Sequence, residues 1–154
     1  MKISDFTVSE EALQAQPMIF ARRAGAYGPE NYALMEKFKK WVSDNGYMTD
    51  DAVLLGIARD DVRVTAPERC RYDVCLLGEY EINEAWLEAG VADCGKYAVL
   101  ELPHTAEAVA LAWSEAIPYL MDMGYQLCFT SPIIERYKKS LVDIGKCEML
   151  FPIF

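Results

Sequence analysis

Residues 28–47 of this chain are GPENYALMEKFKKWVSDNGY, and their apolar residues recur with the spacing of one helical face. Gly28-Pro29 precedes the pattern, and proline suits the first turn of a helix because its missing N–H has no intrahelical partner there. Asn45-Gly46 follows the pattern, and glycine readily adopts the left-handed conformation that ends helices. The segment therefore predicts a helix over residues 29–45.

A second helical pattern follows at a constant offset. Gly124-Tyr125 repeats Gly46-Tyr47 exactly 78 positions later (124 − 46 = 78). Thr105 is suited to the N-cap of this second helix, because its hydroxyl can accept a hydrogen bond from an unpaired backbone N–H. We predict a helix over residues 105–123. Its apolar stripe consists of Val109, Ala112, Trp113, Ala116, Ile117 and Leu120.

Strand-like runs surround both helices in the same order, with one run before each helix and two after it. This order predicts a single α+β domain over residues 1–154, built from two pseudo-symmetric β-α-β-β repeats (residues 1–78 and 95–154) and a linker (79–94). Both helices should lie on one side of a shared antiparallel sheet, with a central ligand cleft where the halves meet. A further run near the N-terminus predicts an edge strand or a partner of the last strand. The runs are residues 18–21, 53–59 and 71–77, then 97–100, 133–137 and 146–153.

The composition excludes several classes of protein. Hydrophobic residues make up 53% and charged residues 25%, which excludes a disordered chain. No apolar run is long enough to cross a membrane, and the N-terminus has no apolar signal segment, so we expect a cytoplasmic protein with no membrane partner. The net charge of −9 provides no basic face for phosphates, so direct nucleic-acid binding is not expected.

The cysteines and the histidine argue against a metal or disulfide framework. The five cysteines are odd in number and scattered, with no CxxC pair, which favours reduced thiols. His104 is the only histidine, so a multi-histidine metal site is impossible. We expect neither a metal nor a cofactor.

Glu135 is the most informative single residue. Alternation along its strand places Ile133, Glu135 and Tyr137 on one face, with Ile134 and Arg136 on the other. A carboxylate between two large side chains is costly to bury without a partner, and burial should raise its pKa unless a cation lies nearby. Two interpretations remain open. Glu135 is either an exposed or ion-paired glutamate, with Arg59 or Arg71 as candidate partners, or it lines a pocket.

The repeat gives further expectations for acidic residues. At the offset of 78 the first half has Ile57, so the fold itself does not require an acid at the position of Glu135. Asp73 and Glu148 match across the repeat near the starts of the last strands. For these two residues we expect salt bridges.

Segments along the whole chain resemble the GyrI-like, or AraC-type effector-binding, domains of the kind found at the C-terminus of Rob. The resemblance implies two pseudo-symmetric β-α-β-β halves around a cleft. It also implies that the glutamate at the position of Glu135 faces the cleft and meets the positive part of a ligand. The segments that carry it are AYGP (26–29), LGIARD (55–60), TAPE (65–68), RYD (71–73), GKYAV (95–99), IERY (134–137) and CEMLFPI (147–153).

Aromatic residues in or near these segments are the other candidate ligand contacts. Their flat faces attract cations and stack on planar molecules. For each of them core packing is the alternative role, most clearly for Trp113 on the helical stripe. The candidates are Tyr27, Tyr72, Tyr97, Trp113 and Tyr137.

Three functions are compatible with the resemblance. The first is a stand-alone small-molecule-binding protein, of the multidrug or transcription-regulating kind, that takes amphipathic, planar or cationic ligands; 154 residues leave no room for a helix-turn-helix head. The second is a hydrolase of strained, cyclopropane-bearing toxins, with Glu135 as general base. The third is a DNA gyrase inhibitor that acts by protein–protein contact. Gyrase or a regulator is thus a possible protein partner, and the sequence does not define the oligomeric state.

Overall fold

A computed structural model describes residues 1–154 as one curved sheet with two long helices. The sheet has eight strands, and all its strand pairs are antiparallel. Short 3₁₀ turns cover Ile3–Asp5 and Pro67–Arg69. The elements are β1 (Thr7–Leu13), β2 (Pro17–Ala24), α1 (Pro29–Asp44), β3 (Val53–Ala58), β4 (Arg71–Leu77), β5 (Glu88–Val91), β6 (Gly95–Pro103), α2 (Ala106–Asp122), β7 (Ile134–Lys138), α3 (Lys139–Val142) and β8 (Lys146–Pro152).

The strand order shows the internal repeat directly. The order is β1-β6-β8-β7-β3-β4-β2-β5, so β6-β8-β7 on one side mirrors β2-β4-β3 on the other. β3 and β7 pair at the centre, where Gly56 lies opposite Glu135 and Leu54 opposite Tyr137. The prediction of an α+β fold with two β-α-β-β repeats on a shared antiparallel sheet is confirmed.

The sequence-based description differs from the structure at the edges of the sheet. β1 extends to Leu13, well beyond the apolar run near the N-terminus, and pairs with β6. Residues 79–94 are not only a linker, because they contain β5, which pairs with β2. The β5 sequence, EAGV, has little intrinsic strand preference, so its conformation depends on the hydrogen bonds that the neighbouring strand offers.

Both helices begin and end as their sequences predict. The Thr105 hydroxyl accepts a hydrogen bond from the Ala108 N–H at 3.1 Å, which caps α2. Gly46 and Gly124 have φ values of +74° and +99°, the left-handed region that glycine adopts without strain. The residue after each glycine donates its N–H to a carbonyl five positions earlier, at 2.9 Å from Tyr47 and 3.1 Å from Tyr125.

α1 and α2 pack side by side on one face of the sheet, which we call the helix face. α1 covers a core cluster that includes Leu54 and Val74, and α2 covers one that includes Leu100 and Met149. All four of these sheet residues point to the same side, as the strand registers require. No helix of the protein combines the length and hydrophobicity that crossing a bilayer requires.

The other face, which we call the inner face, is buried because the sheet curls on itself. Residues 14–16 alone connect β1 to β2, although these strands are six positions apart in the sheet order. In a flat sheet that separation would be roughly 29 Å, whereas the connection can span only about 14 Å. The Ala92 N–H donates to the Gln16 carbonyl at 2.8 Å, which extends the pairing of β2 with β5 to the start of this connection. The inner face therefore keeps an apolar cluster without a covering helix.

Candidate binding site in the cleft between the helices

A cavity of about 1230 Å³ lies between α1 and α2, above the central pair of strands. Its size is ample for a drug-sized molecule. Glu135 and Tyr137 from β7 line it together with side chains from both helices and from two loops, residues 58–63 and 127–133. The two halves of the repeat thus supply opposite walls of one cleft.

Glu135 is partly buried in this cavity and receives hydrogen bonds only from neutral groups. The Trp113 Nε1–H donates to Oε1 at 3.1 Å, and the Tyr137 hydroxyl donates to Oε2. No lysine or arginine forms an ion pair with it. Burial raises the pKa of Glu135 above its ordinary value, and the two hydrogen bonds offset only part of that shift.

The arginines that could have paired with Glu135 bind other carboxylates. Arg59 donates to Asp73 at 2.8 Å and to Asp93 at 2.6 Å. Arg71 donates to Asp60 at 3.0 Å. The ion-paired interpretation of Glu135 is therefore excluded, and its carboxylate lines the cavity instead.

Gly56 makes room for a tyrosine hydroxyl beside Glu135. A Cβ added at Gly56 would lie 2.6 Å from the Tyr72 hydroxyl oxygen, so only glycine allows this approach. Tyr72 is buried and lines the same cavity. Its pKa is raised, first by burial and then by the negative charge of Glu135.

The sequence-based assignment of Ile57 as the repeat equivalent of Glu135 is wrong. Ile57 is buried on the inner face, whereas the residue directly opposite Glu135 on the helix face is Gly56. The offset between the two halves is 78 residues at the glycines that end the helices, but it is only 75 between Asp73 and Glu148 (148 − 73 = 75). Connections of unequal length in the two halves therefore change the strand offset, and an error of one residue reverses the face.

The five predicted aromatic contacts separate into three groups. Trp113 and Tyr137 contact Glu135 directly, and Tyr72 lies beside it. Tyr27 also lines the cavity, but its hydroxyl donates to the Arg71 carbonyl at 2.7 Å and accepts from the Asp60 N–H at 3.1 Å, so it mainly holds the loop after β3.

Tyr97 lies outside the cavity, contrary to the prediction. It is 1% exposed and belongs to the inner-face cluster. Ala98 and Leu100 contact α2 from the same strand, so their neighbours must point away from the helix. Tyr97 is therefore a core residue of the curled sheet.

The structure adds cavity residues that the sequence interpretation did not single out. Tyr32 and Lys39 line it from α1, and His104 and Phe129 from the second half. Val109 and Ile117 join Trp113 at a spacing of four on the cavity side of α2, while alanines at 108, 112 and 116 face the sheet. The sequence interpretation had placed all of these except Ala108 on one apolar stripe, although the larger side chains and the alanines repeat separately. Nothing near Phe129 indicated a wall residue.

The inner face holds the two carboxylates for which salt bridges were predicted, and both are ion-paired. Asp73 accepts hydrogen bonds from Arg22 at 2.7 Å and Arg59 at 2.8 Å, and Glu148 accepts two from Arg136 at 2.9 Å. Burial alone would raise the pKa of Asp73, but the two arginines outweigh it and lower the pKa. No group of three or more histidine, cysteine, aspartate or glutamate side chains in the chain is placed to hold a metal ion.

A large aromatic cleft between two repeats of an α+β domain is the kind of cavity in which proteins bind small molecules. Residues 6–153 match the model of the GyrI-like small molecule binding domain, and the chain belongs to that family. It is 37% identical over 148 residues to the SPbeta prophage-derived putative transcriptional regulator YosT of Bacillus subtilis (strain 168), with 95% of this chain and 98% of YosT covered.

Solved structures with the same fold are more distant in sequence. The EcmrR C-terminal domain matches with a TM-score of 0.68 and 13% identity, covering 97% of this chain and 98% of that domain. In the EcmrR–DNA complex, where the TM-score is 0.69, the match spans only 57% of the EcmrR chain. SAV2435 bound to tetraphenylphosphonium matches with a TM-score of 0.65 and 15% identity, covering 96% of this chain and 94% of that chain.

Proposed function

We propose that this domain binds amphipathic cations with a planar or aromatic body in the cleft between α1 and α2, and that Glu135 is the counter-ion for their positive charge. The observation that carries the proposal is the environment of Glu135 in the cleft. Its carboxylate is partly buried and has neutral donors but no cation.

Such a carboxylate is a strong attractor for a cationic ligand. Two unit charges 4 Å apart attract by about 4 kcal/mol at the effective dielectric constant typical near a protein surface, compared with about 1 kcal/mol in bulk water. Much of that difference is offset by desolvation of the ligand. The surplus still favours a cation over a neutral molecule of the same shape.

The aromatic walls account for the rest of the ligand's chemistry. Trp113, 41% exposed, and Tyr137 lie on either side of the carboxylate and can present ring surface to a flat molecule. A cation over such a ring gains about 0.5–2 kcal/mol. The fold shared with SAV2435, which was solved with the lipophilic cation tetraphenylphosphonium, agrees with this class of ligand. YosT's name supports a sensing role in transcription regulation for such a site.

The test uses two probes of the same shape and opposite charge, tetraphenylphosphonium and tetraphenylborate. In Glu135→Gln the amide keeps the size of the side chain and removes its charge. Binding of the cation should weaken by about 1–3 kcal/mol, roughly five- to 150-fold, while binding of the anion should be unchanged or stronger. Calorimetry or quenching of tryptophan fluorescence measures both affinities.

Glu36→Gln is the matched control. Glu36 also lines the cleft, but its side chain is 75% exposed and lies 3.5 Å from Lys39. Solvent screens such a charge, so its removal should change both affinities by less than about twofold. Equal losses for both probes in Glu135→Gln would assign Glu135 to the shape of the cleft. No loss for either probe would remove Glu135 from the site.

A further inference from the structure

Four of the charged side chains that line the cleft have a close partner of opposite charge. Arg59 is paired at 2.6 Å with Asp93, Asp60 at 3.0 Å with Arg71, and Asp61 at 2.8 Å with Arg63. The other three differ. Glu135 has no cationic partner, and Lys39 and the exposed Glu36 have only each other, at 3.5 Å.

Glu135 and Lys39 both lie close to the aromatic ring of Tyr137. The Tyr137 hydroxyl donates to Glu135, and the Lys39 ammonium lies 5.9 Å from the centre of the Tyr137 ring. His104 lies beside the same ring, with 5.5 Å between the ring centres. The pKa of His104 is lowered, first by burial and then by Lys39, so the positive charge of Lys39 acts within this corner of the cleft.

From this arrangement we infer that the preferred ligands are zwitterionic, with a cationic group that meets Glu135 and a carboxylate or other anionic group that meets Lys39 across the ring of Tyr137. The inference rests on the proposed function and narrows its ligand class. A purely cationic ligand would satisfy Glu135 but would place positive charge near Lys39. A zwitterion gives Glu135 a cation and gives Lys39 a less screened anion than Glu36, and its planar body covers the ring between them.

Lys39 can change partner at little cost. Its ammonium is at the end of a flexible stem that is 36% exposed, and its contact with Glu36 is a long, solvent-screened pair of the kind that contributes little to stability. A ligand anion in the cleft, shielded by aromatic rings, is a better partner than Glu36 because solvent screens it less.

Rhodamine B and its ethyl ester test the inference, because they share one planar cationic body and differ only in a free carboxylate. Lys39→Met keeps the apolar stem and removes the ammonium. This substitution should weaken the binding of rhodamine B by about three- to tenfold and leave the affinity for the ester unchanged or higher. Lys40→Met is the control, because Lys40 is the neighbouring α1 lysine, pairs with Asp44 at 2.6 Å and does not line the cleft. It should change neither dye.

The variant Glu135→Gln separates this inference from the proposed function. If Glu135→Gln weakens the binding of both dyes while Lys39→Met weakens only the binding of rhodamine B, both conclusions stand. If it weakens both dyes but Lys39→Met affects them equally or not at all, zwitterion recognition is overturned and cation binding survives. If it weakens neither dye, the proposed function itself fails.

Discussion

On the inner face of the sheet Asp73 and Glu148 are each held by arginines, whereas Glu135 on the helix face has only neutral hydrogen-bond donors. The first two carboxylates have paired charges and join neighbouring strands. Glu135 has the same chemistry but an unmatched charge, and it lines the large cavity between the helices. Our proposal is that a bound ligand supplies the cation that Glu135 lacks.

The largest expected effect is on the inner face. Asp73→Asn leaves Arg22 without its carboxylate and removes one of the two partners of Arg59. Breaking a buried pair on one side strands the remaining charge, so the free energy of unfolding should fall by about 3 kcal/mol. Urea denaturation at neutral pH measures this loss.

The pH dependence of this effect has a definite sign. Because the folded-state pKa of Asp73 is lowered, its stabilising contribution is present above the ordinary aspartate range and is lost as pH falls through the folded pKa. The difference between wild type and Asp73→Asn should therefore shrink in acid. Asp61→Asn, which disrupts an exposed pair with Arg63, should have little effect at any pH. If Asp73→Asn lowered the free energy of unfolding as little as Asp61→Asn, the comparison between the paired inner-face carboxylates and Glu135 would be contradicted.

The next effect is at the centre of the helix face, where Gly56→Ala places a methyl group 2.6 Å from the Tyr72 hydroxyl oxygen. Displacing that side chain should lower the free energy of unfolding by about 1–3 kcal/mol. In a Tyr72→Phe background the hydroxyl oxygen is absent, so Gly56→Ala should lower the free energy of unfolding by less than about 0.5 kcal/mol. Denaturation of the four proteins in this double-mutant cycle gives the coupling. Equal losses in both backgrounds would show that the glycine serves the strand and not the approach of Tyr72.

The smallest expected effect is a gain in stability. The raised folded-state pKa of Glu135 means that ionising it disfavours folding, so Glu135→Gln should stabilise the unliganded protein by about 0.5–1 kcal/mol at about pH 8. The gain should disappear as pH falls through the window between the raised and the ordinary glutamate pKa, because the wild-type carboxyl is then protonated. Urea denaturation at several pH values measures it. A loss of stability that does not change with pH would show that the charge of Glu135 supports the fold.

The sequence was sufficient where the determining signals are local. Gly46, Gly124 and Thr105 mark helix ends because the left-handed turn and the N-cap depend only on neighbouring residues. The pocket position of Glu135 came from alternation together with the resemblance to a family. Alternation alone left an arginine partner possible.

The errors arose where distant contacts decide the structure. β6 is apolar on both faces, so its sequence could not show that Tyr97 points away from α2. β5 forms because β2 offers it hydrogen bonds, not because EAGV favours a strand. Ile57 was matched to Glu135 by a fixed offset that unequal loops invalidate, which reversed its face.

The most direct test of the account is the pH dependence of tetraphenylphosphonium affinity in wild type and Glu135→Gln, measured by calorimetry from about pH 4 to 8. If Glu135 is the counter-ion, wild-type affinity should rise by up to about tenfold per pH unit until the raised pKa is passed and then level off, because only the carboxylate attracts the cation. The Glu135→Gln profile should lack this rise and lie near the acid limit of wild type. It should keep only the smaller effect of His104, which lies beside the Tyr137 ring and repels the cation when protonated. Parallel profiles in the two proteins would contradict the assignment of the ligand's charge to Glu135.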